Sequence, residues 1–225
     1  MGRALGEGAG AAAQNRSCAG LNTPCPCDAL RPARKTGAHR CAQGGPTAGR
    51  TQLTRDYVRM NDDDRDALLA TAVRLRTDGR PEEARQQLLA LCEAFPADAE
   101  VAYQTAWAHD VLGLEAEAVP FYERCLGGTG LSEEDRRGAL LGLGSTHRVL
   151  GQYERAVEVL RGGVERFPDD GAMRTFLAMA LFNTGEHHES TQLLLRLLAT
   201  TSEDPQVRQY RRAIEHYAQD LHATM

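Results

Sequence analysis

Four glycines set the frame of this chain. Gly79, Gly113, Gly151 and Gly185 stand 34, 38 and 34 residues apart, and each carries similar neighbours at the same offsets. Five residues on stands a small side chain (Ala84, Ala118, Ala156, Ser190), and seven residues back stands another (Ala72, Ala106, Gly144, Ala178). Nine residues on stands a large one (Leu88, Tyr122, Leu160, Leu194). Pro96 and Pro168 follow the first and third glycines at a common distance of seventeen. Self-similarity at such a period marks an array of helix pairs, each unable to bury its apolar face alone and stable only when stacked.

Each offset has a physical reason. Glycine at a tight turn between two helices supplies the left-handed backbone that other residues resist. Small residues on either side let the paired helices approach closely, and the large residue fills the gap to the next pair. Proline after a second helix stops it, because the ring cannot continue the hydrogen-bond ladder. The four extra residues between Gly113 and Gly151 fall in GGTGLSEED, a lengthened loop before Ser132. That serine can cap the next helix, with Asp135 three residues on. Two features run against regularity. Pro120 should remove an early backbone bond in a second helix and bend its start, and Gly162-Gly163 should weaken a helix interior by up to ~1 kcal/mol each.

These positions together resemble the tetratricopeptide-repeat family, over about 140 residues and in four units at 65–98, 99–132, 137–170 and 171–204. The resemblance implies an all-α fold, a right-handed α-solenoid of about four helix-turn-helix pairs. Two departures stand out. The position four before each glycine, often aromatic in the family, holds Leu75, His109, His147 and Leu181, and the last unit has no closing proline.

Charge and hydrophobicity both change near Met60. Residues 1–59 hold 9 basic and 3 acidic groups (9 − 3 = +6), and residues 60–225 hold 17 and 28 (17 − 28 = −11). Only 7 of the first 59 residues are Val, Ile, Leu, Met, Phe, Tyr or Trp, and 13 are Gly or Pro. Such a segment cannot bury enough apolar surface to offset its ordering entropy, so a disordered leader is expected at 1–59. Met60-Asn61-Asp62 would make a sensible alternative start at the first helix cap. Cys18, Cys25, Cys27 and Cys41, with His39, lie in this leader, but without the paired C-x₂₋₄-C arms of a zinc module. No metal or cofactor is therefore expected. Cys92 and Cys125 fall on apolar helix positions as core thiols.

Nothing near the start has the apolar run of a signal peptide. The longest apolar run, FLAMALF at 176–182, is far short of a membrane span. The expectation is a soluble cytoplasmic protein that inserts in no membrane. The net −11 of the repeat region opposes the basic footprint that nucleic-acid binding requires. Of 26 basic residues only Lys35 is lysine, a skew that suggests a GC-rich genome. The whole chain resembles small tetratricopeptide proteins of high-GC, actinobacterial-type bacteria.

After Asp204-Pro205, a cap and first-turn pair, Val207, Tyr210, Ile214, Tyr217 and Leu221 recur at alternating steps of three and four. That is one apolar stripe on a polar helix, suited to cap the last repeat across 205–225. The same spacing also suits a two-helix seam, so the alternative is a self-associating structural protein, a homodimer through this helix or through the groove.

Catalysis finds little support. Glu186-His187-His188-Glu189 lacks the i, i+4 histidine pair of a helical zinc site and reads as a solvated helix start. His109 and His147, at equivalent places in adjacent units, could lie near each other or serve as packing residues. No serine or cysteine carries a nucleophile motif, so no enzyme activity is expected.

The family resemblance implies protein binding in a groove lined by the first helix of each pair. The positions ten, six, three and two before each glycine are Leu69, Val73, Arg76 and Thr77; Tyr103, Trp107, Asp110 and Val111; Leu141, Ser145, Arg148 and Val149; and Thr175, Met179, Phe182 and Asn183. One subgroup of the family grips a terminal carboxylate with Lys and Asn at such places, and this chain lacks both at the required offsets. The groove instead reads as apolar and aromatic in the middle, with Arg76, Asp110 and Arg148 as polar anchors. A protein or peptide partner is expected there, held as an extended peptide or a helix, with Trp107 and Tyr103 as the energetic centre. The competing expectation is that some of these side chains pack inside the solenoid.

Overall fold

The computed structural model describes residues 62–222. The expected leader, its cysteines and the alternative start at Met60 lie outside the described residues. Four helix pairs follow one another: α1 (Asp62–Thr77) with α2 (Pro81–Ala94), α3 (Ala99–Val111) with α4 (Glu115–Gly127), α5 (Glu133–Val149) with α6 (Tyr153–Arg166), and α7 (Gly171–Thr184) with α8 (His187–Thr201). Two short helices close the described chain, α9 (Pro205–Gln209) and α10 (Arg211–Tyr217). Within the four pairs each helix packs on its neighbours in sequence, and first helices also meet across repeats, as α3 with α5 and α5 with α7. The architecture is an all-α right-handed solenoid of four pairs with a terminal cap.

The turn chemistry is the same four times over. Gly79, Gly113, Gly151 and Gly185 have φ of 79°, 71°, 75° and 88°. The left-handed residue lets the next amide reach back to the helix, as in Arg80 N to Leu75 O (2.9 Å), Leu114 N to His109 O (3.0 Å), Gln152 N to His147 O (2.9 Å) and Glu186 N to Leu181 O (2.9 Å). These are the six-to-one bonds of a Schellman ending. The residue four before each glycine therefore supplies the terminal acceptor of the turn.

Small residues sit where helices touch. Ala72, Ala84, Ala106, Ala118, Ala156 and Ala178 are completely buried, and Ser190 is nearly so. Its hydroxyl donates to Ala178 O at 2.7 Å, which satisfies a polar group in the contact. At Gly144 a Cβ would lie 2.4 Å from Leu160 Cγ, so the small residue is required by the large one of its own pair. Gly163, expected to weaken α6, has a comparable reason: a Cβ there would lie 2.7 Å from Met173 Sδ. Only Gly162 of that pair faces open space. Pro120 lies exposed within α4, which continues to Gly127.

Between repeats the chain uses side-chain caps. Asp98, Ser132 and Asp170 each accept the backbone N–H three residues on, at 3.0, 3.0 and 2.8 Å. Asp98 also receives Arg65 Nε and Nη2, both at 2.8 Å, and Arg137 approaches Asp170 at 3.8 Å in the equivalent place two repeats later. An arginine near the start of one first helix thus holds the cap of the next.

The terminal segment departs from a single continuous helix. The backbone turns at Tyr210 (φ −97°, ψ 10°), and α10 then runs back along α8. Gln192 Nε2 donates to Gln219 O at 2.8 Å, and His188 stacks on His222 at 5.2 Å. Ala218 is fully buried by this return, whereas Tyr210 and Tyr217 of the expected stripe are exposed.

Candidate functional site

The groove positions fall into three environments. Leu69, Tyr103 and Leu141 are buried in the core, and Arg76 is buried with them. Val73, Trp107, Asp110, Ser145, Arg148, Thr175, Met179 and Asn183 are half-buried, while Thr77, Val111, Val149 and Phe182 are exposed. Phe182 lies against the ring of His187 at 4.7 Å.

The polar positions three before each glycine are tied to the following repeat. Arg76 Nη1 donates to Gln104 Oε1 at 2.7 Å, and its guanidinium lies 3.7 Å from the centre of the Trp107 ring. Burial pulls this guanidinium down to about 10, leaving it cationic at neutral pH. Asp110 accepts from Thr146 Oγ1 at 2.9 Å, and Arg148 Nε donates to Asn183 Oδ1 at 2.8 Å. Of the three expected anchors, Arg76 and Arg148 are already held by neighbours that stabilise the stack. Asp110 differs because it opens onto a cleft.

That cleft brings together five of the expected groove residues, Tyr103, Trp107, Asp110, Leu141 and Ser145, with Val111 and Val149 at their sides. Leu69, Val73, Arg76, Arg148, Thr175, Met179, Phe182 and Asn183 lie outside its lining. The cleft has a cavity volume of about 60 Å³. At roughly 10–15 Å³ per water that is room for about four to six waters, the scale of one long side chain.

Several lining residues were not legible as site residues. Tyr122 reads from sequence as a gap filler, yet its hydroxyl also donates to Asp110 Oδ2 at 2.6 Å from within the wall. Thr146, Glu115 and Phe176 complete the lining, the last from α7. Two glycines of α5 make the wall possible. A Cβ on Gly138 would lie 2.2 Å from the Tyr103 hydroxyl, and one on Gly142 would lie 2.4 Å from the Tyr122 hydroxyl. The tyrosines reach across to α5 because those two positions carry no side chain.

Burial pushes the Asp110 carboxyl up to about 6, and Glu115 nearby adds to the rise, against the two hydroxyl donors that favour the anion. The folded state therefore holds this proton more tightly than the unfolded chain. Stability attributable to Asp110 is fully present below about pH 4 and is lost as pH rises to about 6. A rise of about two units corresponds to at most about 3 kcal/mol. Urea denaturation of wild type and Asp110→Asn across pH 4–7 should show it: the wild type loses stability relative to the variant over that window. Parallel curves would remove the shift.

The two matched histidines serve their own turns. His109 Nδ1 lies 2.7 Å from Thr105 O, its Nε2 receives Arg85 Nε at 3.1 Å, and its ring stacks on Phe121 at 5.1 Å. His147 Nδ1 lies 2.8 Å from Gln152 Oε1. Burial lowers the pKa of His109, consistent with a neutral ring that donates to Thr105 and accepts from Arg85. Cys92 and Cys125 are free and buried, and burial raises both thiols, Cys125 to about 12. Such thiols are poor nucleophiles. Among the described residues no group of three or more His, Cys, Asp or Glu could hold a metal, and no helix is long and apolar enough to cross a membrane.

Comparison with known proteins agrees with this architecture. A family model described as "Tetratrico peptide repeat" matches residues 99–221, and one described as "Tetratricopeptide repeat" matches residues 39–99. Among solved structures the chain is similar to "MamA 41-end from Desulfovibrio magneticus RS-1", with 21% identity, 71% of this chain and 91% of that chain covered, and a TM-score of 0.56. It is similar also to "MamA RS-1 ArsTM double mutant", at 21% identity, 72% and 88% coverage and a TM-score of 0.56. No curated protein matches it significantly. At this identity the likeness is one of fold. With a family model matching more than half its length, the chain belongs to the tetratricopeptide-repeat family.

Proposed function

We propose that the protein is a scaffold or adaptor of the bacterial cytoplasm, with no catalytic role of its own, that holds a segment of a partner protein on its concave face. The cleft between α3, α5 and α7 is the centre of that face, and Arg148, Thr175, Met179, Phe182 and Asn183 extend it toward the last repeat. The observation that carries this reading is an aromatic cleft whose rim residues Val111 and Val149 are exposed. Exposed apolar side chains beside aromatic walls mark a surface awaiting a partner. The near-absence of lysine supports an origin among high-GC bacteria.

A crosslinking pull-down from native cytoplasm, using the full chain, tests the reading. Val111→Asp with Val149→Asp should lose the protein that wild type captures, with an unchanged melting curve, because both side chains are exposed. Equal capture by both proteins would place binding elsewhere.

A second reading, a homodimer, is favoured by one observation. Leu194 is 42% exposed, although the equivalent Leu88, Tyr122 and Leu160 are 0%, 2% and 0% exposed beneath the next first helix. Leu198, one turn on, is 44% exposed. The cap covers the side of α8 that carries His188 and Gln192 and leaves this seat open. Two copies of α8 packed antiparallel about a twofold axis would set Leu194 of one beside Leu198 of the other. Light scattering of the full chain would show a dimer that Leu194→Asp dissociates; a monomeric wild type would dispose of this reading.

A further inference from the structure

The chemistry of the cleft wall points to a partner of one charge. Two carboxylates face the cleft, Asp110 and Glu115, and no arginine, lysine or histidine lines it. Neither carboxylate forms an ion pair among the described residues. Asp110 has two hydroxyl donors, from Tyr122 and Thr146, and these stabilise the anion without neutralising it. The charged group on the α1 side, Arg76, is engaged by Gln104 and by the ring of Trp107. The remaining wall is aromatic and aliphatic, including Trp107, Leu141 and Phe176. An anion held in an aromatic enclosure is the complement of a cation on an apolar stem. The ring faces attract the charge, and the walls cover the methylenes. The cleft volume is on the scale of one such side chain.

We propose that this cleft recognises an extended basic segment of a partner protein by taking in one arginine or lysine side chain, its stem against Trp107, Leu141 and Phe176 and its head at Asp110 and Glu115. The inference rests on the cleft being the partner-binding site. It adds the chemistry that site selects. The net charge of −11 over residues 60–225 favours the approach of a basic segment over an acidic one. Because the cation binds the ionised form of Asp110, affinity falls as pH falls through about 6. The titratable groups around Asp110 are Glu115 and Tyr122 of α4, Tyr103 of its own helix and Arg76 of α1. The two tyrosines and Arg76 do not titrate in that range.

The test uses the full chain and fluorescein-labelled, acetylated and amidated peptides of alanine and leucine with one central arginine, norleucine or glutamate. Fluorescence anisotropy at pH 7.5 should rank arginine at least tenfold above norleucine, with glutamate weakest. Asp110→Asn should erase the preference for arginine over norleucine, and the wild-type preference should shrink at pH 5. Equal affinity for arginine and norleucine would overturn the inference yet leave an apolar peptide groove intact. Failure of every peptide to bind would mean the cleft is closed to an external cation, and would overturn it as well. The pull-down with the Val111 and Val149 variants then decides the groove reading separately. Should Asp110→Asn fold poorly, the peptide ranking on wild type still decides the matter. Should Val149→Asp turn a dimer into a monomer, a second copy occupies the cleft and the inference falls.

Discussion

Tyr103→Ala should lower stability by about 3–5 kcal/mol, the range for deleting a buried aromatic side chain. Tyr103 is only 6% exposed and belongs to a cluster with Ala106, Ala139 and Leu143 that joins the second repeat to the third. Its ring lies 5.8 Å from that of Trp107, and its hydroxyl sits over the bare backbone of Gly138. Truncation would empty the contact between α3 and α5. At roughly 2–4 °C per kcal/mol for a chain of this size, the melting temperature should fall by about 6–20 °C. A thermal melt followed by circular dichroism reads this directly, and a shift under about 3 °C would show that the ring is dispensable. The consequence for function is practical. A variant lacking both Tyr103 and Trp107 would lose binding by losing the fold, so the exposed Val111 and Val149 are the side chains that probe the cleft.

Gly142→Ala should destabilise the protein by about 1–3 kcal/mol, the usual cost of overpacking. Helix propensity alone gives the opposite sign, since alanine in a helix interior is favoured over glycine by up to ~1 kcal/mol. The structure reverses it. A Cβ at position 142 would stand 2.4 Å from the Tyr122 hydroxyl and 2.5 Å from its ring carbon. The ring is fully buried and cannot swing aside without breaking its bond to Asp110. Gly162→Ala supplies the control, because open space surrounds that position in the same solenoid. It should stabilise by up to ~1 kcal/mol. Urea denaturation of both variants should therefore move the midpoint in opposite directions. A Gly142→Ala protein as stable as wild type would mean that α4 and α5 are not held as described.

The turn of every repeat was legible because its determinants are local. A glycine with positive φ, the acceptor four residues before it and a cap such as Ser132 act within a few residues, so the amino-acid order states them in full. The small pairs were legible for a related reason: a helix-to-helix contact repeated in each unit leaves a periodic trace. The fate of Tyr103 was not legible. Its offset is shared by Leu69, Leu141 and Thr175, and whether such a side chain lines a groove or fills a core depends on the residue across from it. Here that residue is Gly138, thirty-five positions away.

Interactions between repeats share this character. Arg65 on Asp98, Arg76 on Gln104 and Trp107, Asp110 on Thr146, and Arg148 on Asn183 each join groups 28 to 36 residues apart along the chain. An arginine or an aspartate reads from sequence as a free anchor, and only the stacked neighbour reveals that it is engaged. The terminal segment shows the same limit from the other side. Its spacing of three and four predicted one continuous apolar stripe, but the backbone turns at Tyr210, α10 packs on α8 and two tyrosines stay exposed. By itself the sequence determined the all-α repeat, its turns and its caps, since each is decided by neighbours along the chain. Tertiary structure alone decided which side chains close the core, which acid is left unpaired in a cleft and which leucines stay uncovered on α8, because those depend on what stands opposite in space.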